Sequence, residues 1–192
     1  MDLLLRHLPN LITFLRIGLV PVMVWFLYDT GRSGALVAAL TFHVACWSDF
    51  LDGYLARRWN IHTTLGKLLD PIADKLIVAA ALIMLISMDR EPALPAWMVI
   101  VIIGRELAVT GLRAVALGQG LVVAADELGK YKTIFQMLAL QGLLLHYDFF
   151  GIDFHYAGMY FLWLALVIGL WSGIEYHVRV IRQLLHPAPS SA

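Results

Sequence analysis

The sequence predicts an all-α integral membrane protein of six transmembrane helices with both termini on the cytoplasmic side. Three observations lead there. Of 192 residues, 60% are hydrophobic and 15% charged, against about 45–50% and 25% in soluble domains. So few charges cannot cover a soluble surface, and most of the surface must face lipid. Six apolar stretches come close to the roughly 20 residues of a helical span, and the basic residues between them favour alternate loops, which sets the orientation. At roughly 30 residues per span and turn, no separate soluble domain fits, so residues 1–186 are expected to form one domain.

The spans follow in order. The first covers about residues 11–28, after a short interfacial lead-in that ends at Pro9. The others cover about 36–57, 68–88, 95–117, 131–147 and 156–180, and the Pro- and Ser-rich tail 187–192 reads as disordered. Arg6, Arg57, Arg58, Lys67, Lys130, Lys132, Arg179 and Arg182 fall at the termini and in the second-to-third and fourth-to-fifth connections. The opposite loops hold Arg32 and Arg90, and this asymmetry places both termini in the cytoplasm. Met1-Asp2-Leu3 has no basic lead and so does not read as a removed signal peptide. Lys plus Arg and Asp plus Glu both number 14, so charge supplies no argument for a nucleic-acid partner. Cys46 has no second cysteine to pair with.

Arg16, Lys75, Arg105 and Arg113 lie inside predicted spans, where ionisable groups are costly and mark function. At about 1.5 Å per residue, Asp52 and Asp49 stand about 7 and 12 Å above Arg57 on the second helix. Asp70 and Asp74 occupy the first turns of the third helix. Arg105, Glu106 and Arg113 descend the fourth toward the cytoplasm. All fall in the cytoplasmic part of the membrane and could line one cavity opening inward. Asp49 and Asp52 are three apart and Asp70 and Asp74 four apart, so each pair shares a helix face. Gly53, Ala56 and Gly66 leave room for a close helix or a ligand. Four carboxylates facing one another would repel unless cations balanced them. Two divalent metals do so, and oxygen ligands suit Mg²⁺ or Mn²⁺. No His or Cys has the spacing of a zinc site.

In order, Asp49-x₂-Asp52-Gly53-x₂-Ala56-Arg57-x₈-Gly66-x₃-Asp70-x₃-Asp74 resembles the complete signature of the CDP-alcohol phosphotransferase family. The resemblance implies transfer of a substituted phosphoryl group from a CDP-alcohol to an acceptor alcohol, with release of CMP. It also implies that family's six-helix membrane fold, two metal ions and a homodimer. Asn10-x₂-Thr13-x₂-Arg16, the 54–60 and 69–75 runs, Gly104-Arg-Glu106 with Thr110-Gly-Leu-Arg113, and Gly129-Lys-x-Lys-Thr133 with Gln136-Met137 resemble one bacterial branch. Its substrates are CDP-diacylglycerol and sn-glycerol 3-phosphate, and its place is the bacterial inner membrane with the site facing the cytoplasm. These matches span roughly residues 10–137, and the last helix adds only hydrophobicity.

The resemblance further implies that Asp49, Asp52 and Asp70 hold two Mg²⁺ ions and that Asp74 completes the second site. Asp74 is the general-base candidate for the acceptor's primary hydroxyl, in a direct displacement, because no Ser, Cys or His nucleophile with an adjacent base is evident. Asp52, Gly53, Ala56, Arg57, Gly66 and Lys67, with Asn10, Thr13 and Arg16, are the CDP-diacylglycerol candidates. Gly53 and Ala56 would floor the cytidine. Arg57 and Lys67 either reach phosphate oxygens or snorkel to the interface. Asn10, Thr13 and Arg16 either polarise the diphosphate or serve as a cap and a buried ion pair. Arg105, Arg113, Lys130 and Lys132 are the candidates for the dianion of glycerol 3-phosphate, with Glu106 orienting Arg105. The bland alternative pairs the acids with Arg57, Lys67 and Lys75, and anchors Lys130 and Lys132 at the interface. Another acceptor, such as inositol phosphate, stays open within the family. Outside it, an ion-coupled transporter would also bury charge, but would carry ionisable groups to both membrane faces.

Overall fold

The computed structural model describes residues 2–29, 31–59, 64–121 and 127–185, with the side chains of residues 11–29, 31–48, 69, 71–121 and 127–185. Six helices run along the chain: α1 Asp2–Leu27, α2 Arg32–Trp59, α3 Thr64–Ser87, α4 Ala96–Gly118, α5 Glu127–Leu145 and α6 Phe154–Leu185. Each contains most of one apolar stretch. The expected lead-in is not a separate element, because α1 continues unbroken from Asp2. Pro9 removes one backbone donor, but the leucines around it are strong helix formers and its fixed φ is already near helical. The tail 187–192 lies outside the described residues.

The turn between α1 and α2 closes on Asp29, whose carboxylate accepts from the Gly31 amide at 3.0 Å and the Ser33 hydroxyl at 3.4 Å. A Cβ at Gly34 would stand 2.5 Å from the Asp29 carbonyl, so only glycine permits this approach. Between α5 and α6 the chain forms an antiparallel hairpin of β1 Asp148–Phe149 and β2 Ile152–Asp153. Its central residues, Phe150 and Gly151, have φ of 55° and 76°, as a type I′ turn requires. Strands of two residues are too short to leave an alternating pattern in sequence. Asp153 then caps α6, its Oδ1 accepting from the His155 and Tyr156 amides at 2.9 and 3.0 Å.

The chain divides into two compact units, Met1–Leu94 with Leu140–Met159, and Pro95–Ala139 with Tyr160–Ala192. In the first, α1 packs on α2 and α3. Ala35, Ala38, Ala39, Ala45, Ala73 and Ala81 are buried there beside Met23, Leu27, Phe42 and Leu82, and these small side chains let helix backbones approach. At the loop end of this unit, Arg90 donates to the Leu143 carbonyl at 2.6 Å, one of the carbonyls left without a partner where α5 ends. His155 donates through Nε2 to the Pro92 carbonyl at 2.7 Å, and its Nδ1 meets that of His146 at 3.1 Å.

In the second unit, Val109 and Ala116 of α4 pack with Tyr176 and Val180 of α6. Trp97 and Trp163 lie with ring centres 5.6 Å apart, and Phe135 stacks on Phe161 at 6.1 Å. Large apolar side chains such as Trp25, Ile100, Leu107, Trp171 and Ile174 are exposed along α1, α4 and α6. Among the described residues one helix, Phe154–Leu185, is long and apolar enough by composition to cross a membrane.

Candidate active site

In the first unit, α1 turns Thr13 and Arg16 inward on one face, both only 1% exposed. Arg16 donates from Nη1 to Asp74 Oδ1 of α3 at 2.9 Å. A guanidinium this deeply buried is tolerable because it is paired. The carboxylate it holds is 45% exposed, so Asp74 is fixed on one side and reachable on another. This pairs Arg16 with the base candidate itself, an ion pair of the kind that was one of its two expected roles.

Asp49 and Asp52 lie on α2 and Asp70 on α3 by backbone. Their side chains are outside the described residues, as are those of Asn10, Gly53, Ala56, Arg57, Gly66 and Lys67. Among the described residues no three His, Cys, Asp or Glu gather as metal ligands. The donor set of the signature is nonetheless four carboxylates on two neighbouring helices, which suits a hard cation such as Mg²⁺ or Mn²⁺.

In the second unit, Glu106 of α4 accepts on a single oxygen from Arg105 Nη1 at 2.9 Å and from the buried Lys132 ammonium of α5. Arg105 also donates through Nε to the Gly169 carbonyl at 3.0 Å and through Nη2 to Ser172 Oγ at 2.8 Å, both on α6. Arg105, Glu106, Lys132, Gln136 and Gly169 line a narrow pocket of about 10 Å³, about the room one water needs. Gln136 is 4% exposed, and its Oε1 has no hydrogen-bond partner among the described residues. Among the described residues, two cations share this one carboxylate, which leaves these three groups with one net positive charge, a balance that favours an anion.

The four residues expected to bind the acceptor phosphate are therefore not all together. Arg105 and Lys132 meet on Glu106. The Arg113 guanidinium sits 5.7 Å from the centre of the Tyr176 ring, a cation–π contact. Arg105 and Arg113 share a helix face, but eight residues put them about 12 Å apart along the axis. Lys130 is exposed and bonds Glu127 at 2.6 Å, a hydrogen bond that raises its pKa above the usual lysine value. Lys130 and Lys132 are two apart, and such residues point to different sides of a helix. Gln136, Gly169 and Ser172 were not among the candidates from sequence. Gln136 could have been found, since it stands one turn after Lys132.

The signature from Asp49 to Asp74 agrees with what a family comparison finds. A family model described as CDP-alcohol phosphatidyltransferase matches residues 6–171. The chain belongs to that family. A protein of Bacillus subtilis (strain 168) is 46% identical over 183 residues, covering 88% of this chain and 93% of its own. Relatives from Rickettsia typhi and Haemophilus influenzae are each 36% identical. The first alignment covers 90% of this chain and 96% of the relative, the second 88% and 91%. All three are named CDP-diacylglycerol–glycerol-3-phosphate 3-phosphatidyltransferase. Within the family, the matched span includes Asp74, Arg105, Glu106 and Lys132, and stops within α6 just before Ser172 and Gly173.

Proposed function

We propose that this protein transfers the phosphatidyl group of CDP-diacylglycerol to sn-glycerol 3-phosphate, giving phosphatidylglycerol phosphate and CMP. The observation that carries the choice of acceptor is the half-buried Arg105–Glu106–Lys132 cluster, in which two cations share one carboxylate among the described residues. An acceptor that arrives as a phosphate dianion needs such a site, whereas a neutral alcohol such as serine or glycerol would leave its cations uncompensated. The names of the relatives support the same acceptor.

In this reading Asp74 takes the proton of the acceptor's primary hydroxyl as the oxygen attacks the phosphorus that carries diacylglycerol. Arg16 holds that carboxylate in one orientation through its 2.9 Å bond. Asp49, Asp52 and Asp70, with Asp74, would hold two divalent ions, Mg²⁺ or Mn²⁺, which supply positive charge to offset the diphosphate and the departing CMP. Gly53, Ala56, Arg57, Gly66 and Lys67, with Asn10 and Thr13, bind the CDP-diacylglycerol. Arg105 and Lys132 bind the acceptor's phosphate, with Arg113 and Lys130 contributing at longer range. The protein sits in the bacterial inner membrane as a homodimer of six-span subunits, with termini and active site on the cytoplasmic side. The apolar side chains exposed on α1, α4 and α6 support burial in lipid, and the loop charges support the orientation.

The test is CMP release from CDP-diacylglycerol by the purified protein. Release should require both glycerol 3-phosphate and Mg²⁺ and should cease on chelation. Plain glycerol should hardly react. Faster turnover with inositol phosphate than with glycerol 3-phosphate would overturn the named acceptor.

A further inference from the structure

In sequence, α6 shows little beyond hydrophobicity, yet the segment from Gly169 to Gly173 stands against the half-buried Arg105 and the buried Lys132. Ser172, 2% exposed, accepts from Arg105 Nη2 and itself donates to the Gly169 carbonyl at 3.3 Å. That carbonyl also takes the Arg105 Nε proton. The two glycines make room for the side chains. A Cβ on Gly173 would lie 3.2 Å from Arg105 Nε and 3.3 Å from its Cγ, and one on Gly169 would lie 3.3 Å from Lys132 Cγ. All three separations are tighter than nine in ten contacts that real Cβ atoms make. Arg105 cannot simply slide away, because Nε and Nη2 are tied to α6 and Nη1 to Glu106.

We propose that the Gly169–Gly173 segment of α6 is a positioning cradle for an anion site, one that fixes Arg105 and Lys132 for a phosphate monoester. A guanidinium has five N–H donors, and among the described residues three of those on Arg105 are engaged. One proton remains on each Nη, on a group whose orientation is fixed before the ligand arrives, which reduces the ordering a ligand must impose. Ser172 and the glycines touch no substrate and act only through the two cations. The identification of the monoester as glycerol 3-phosphate rests on the proposed function, while the cradle does not.

Two measurements on the full-length protein in detergent separate these claims. In steady-state assays, Ser172→Ala and Gly173→Ala should raise KM for glycerol 3-phosphate about tenfold, the scale of one hydrogen bond to a charged group. KM for CDP-diacylglycerol should stay within about twofold of the wild type, and Ser172→Thr, which keeps the hydroxyl, should restore most of the loss. Equal rises in both constants, or none, overturn the cradle. Thermal protection by inorganic phosphate reads the same site without turnover. Phosphate should raise the melting temperature of the wild type and much less that of Gly173→Ala, and an equal shift in both, or in neither, refutes the cradle. Phosphate protection that Gly173→Ala abolishes, in a wild type that makes no product from glycerol 3-phosphate, sinks the acceptor assignment and upholds the cradle.

Discussion

Arg16→Met is the perturbation that most directly probes how the base candidate is held. Methionine keeps most of the buried volume, so the substitution removes the charge without opening a large cavity beside Thr13. The bond from Nη1 to Asp74 Oδ1, 2.9 Å long, is lost with the charge. A hydrogen bond to a charged group contributes about 1.5–3 kcal/mol. The 45% exposure of Asp74 lets water replace part of it, so the lower end applies, and about 1.4 kcal/mol of barrier is tenfold in rate. Arg16→Met should therefore lower kcat about tenfold, with CDP-diacylglycerol affinity nearly unchanged. Asp74→Asn, which removes the base, should cost roughly 10²–10⁴-fold. If Arg16 acts only through Asp74, the double variant should be no slower than Asp74→Asn alone, a non-additivity that CMP release at saturating substrates would measure. Multiplying losses would refute the reasoning, and would instead place Arg16 on the diphosphate as an independent contact.

The two lysines of α5 should separate: Lys132→Met should raise KM for glycerol 3-phosphate at least tenfold. Lys130→Ala, which breaks only an exposed pair with Glu127, should change it less than about twofold, and the reverse order would refute the site. Arg90, whose pKa burial lowers from the usual arginine value, closes the end of α5 through the Leu143 carbonyl. Arg90→Met should lower the melting temperature in detergent by several degrees, given about 1.5–3 kcal/mol for the bond and about 2–4 °C per kcal/mol at this chain length. An unchanged melting temperature would rule that role out. In a Cys46→Ala background, a cysteine at exposed Phe150 should react with an impermeant maleimide on intact cells and one at Gln119 only after lysis. Labelling of Gln119 on intact cells would overturn the topology. Gly34 is unsuited to this test, because a side chain there would collide with the Asp29 carbonyl.

The six helices were legible because each contains most of one long apolar run, and the runs could be counted without knowing their packing. The signature from Asp49 to Asp74 was legible because helical periodicity is local: residues three and four apart share a face whatever surrounds them. What sequence could not decide was which faces meet. Arg105 and Arg113 share a face but not a pocket, since the separation along the axis matters as much as the angle around it. Lys130 and Lys132 are neighbours in sequence, but the turn of α5 sends only Lys132 to Glu106. That Arg16 reaches Asp74 follows from the packing of α1 on α3, which no local pattern in the sequence encodes. The part played by α6 was hidden for the same reason. Two glycines and a serine carry no charge to notice, and their meaning comes from the arginine and lysine that the tertiary packing lays against them.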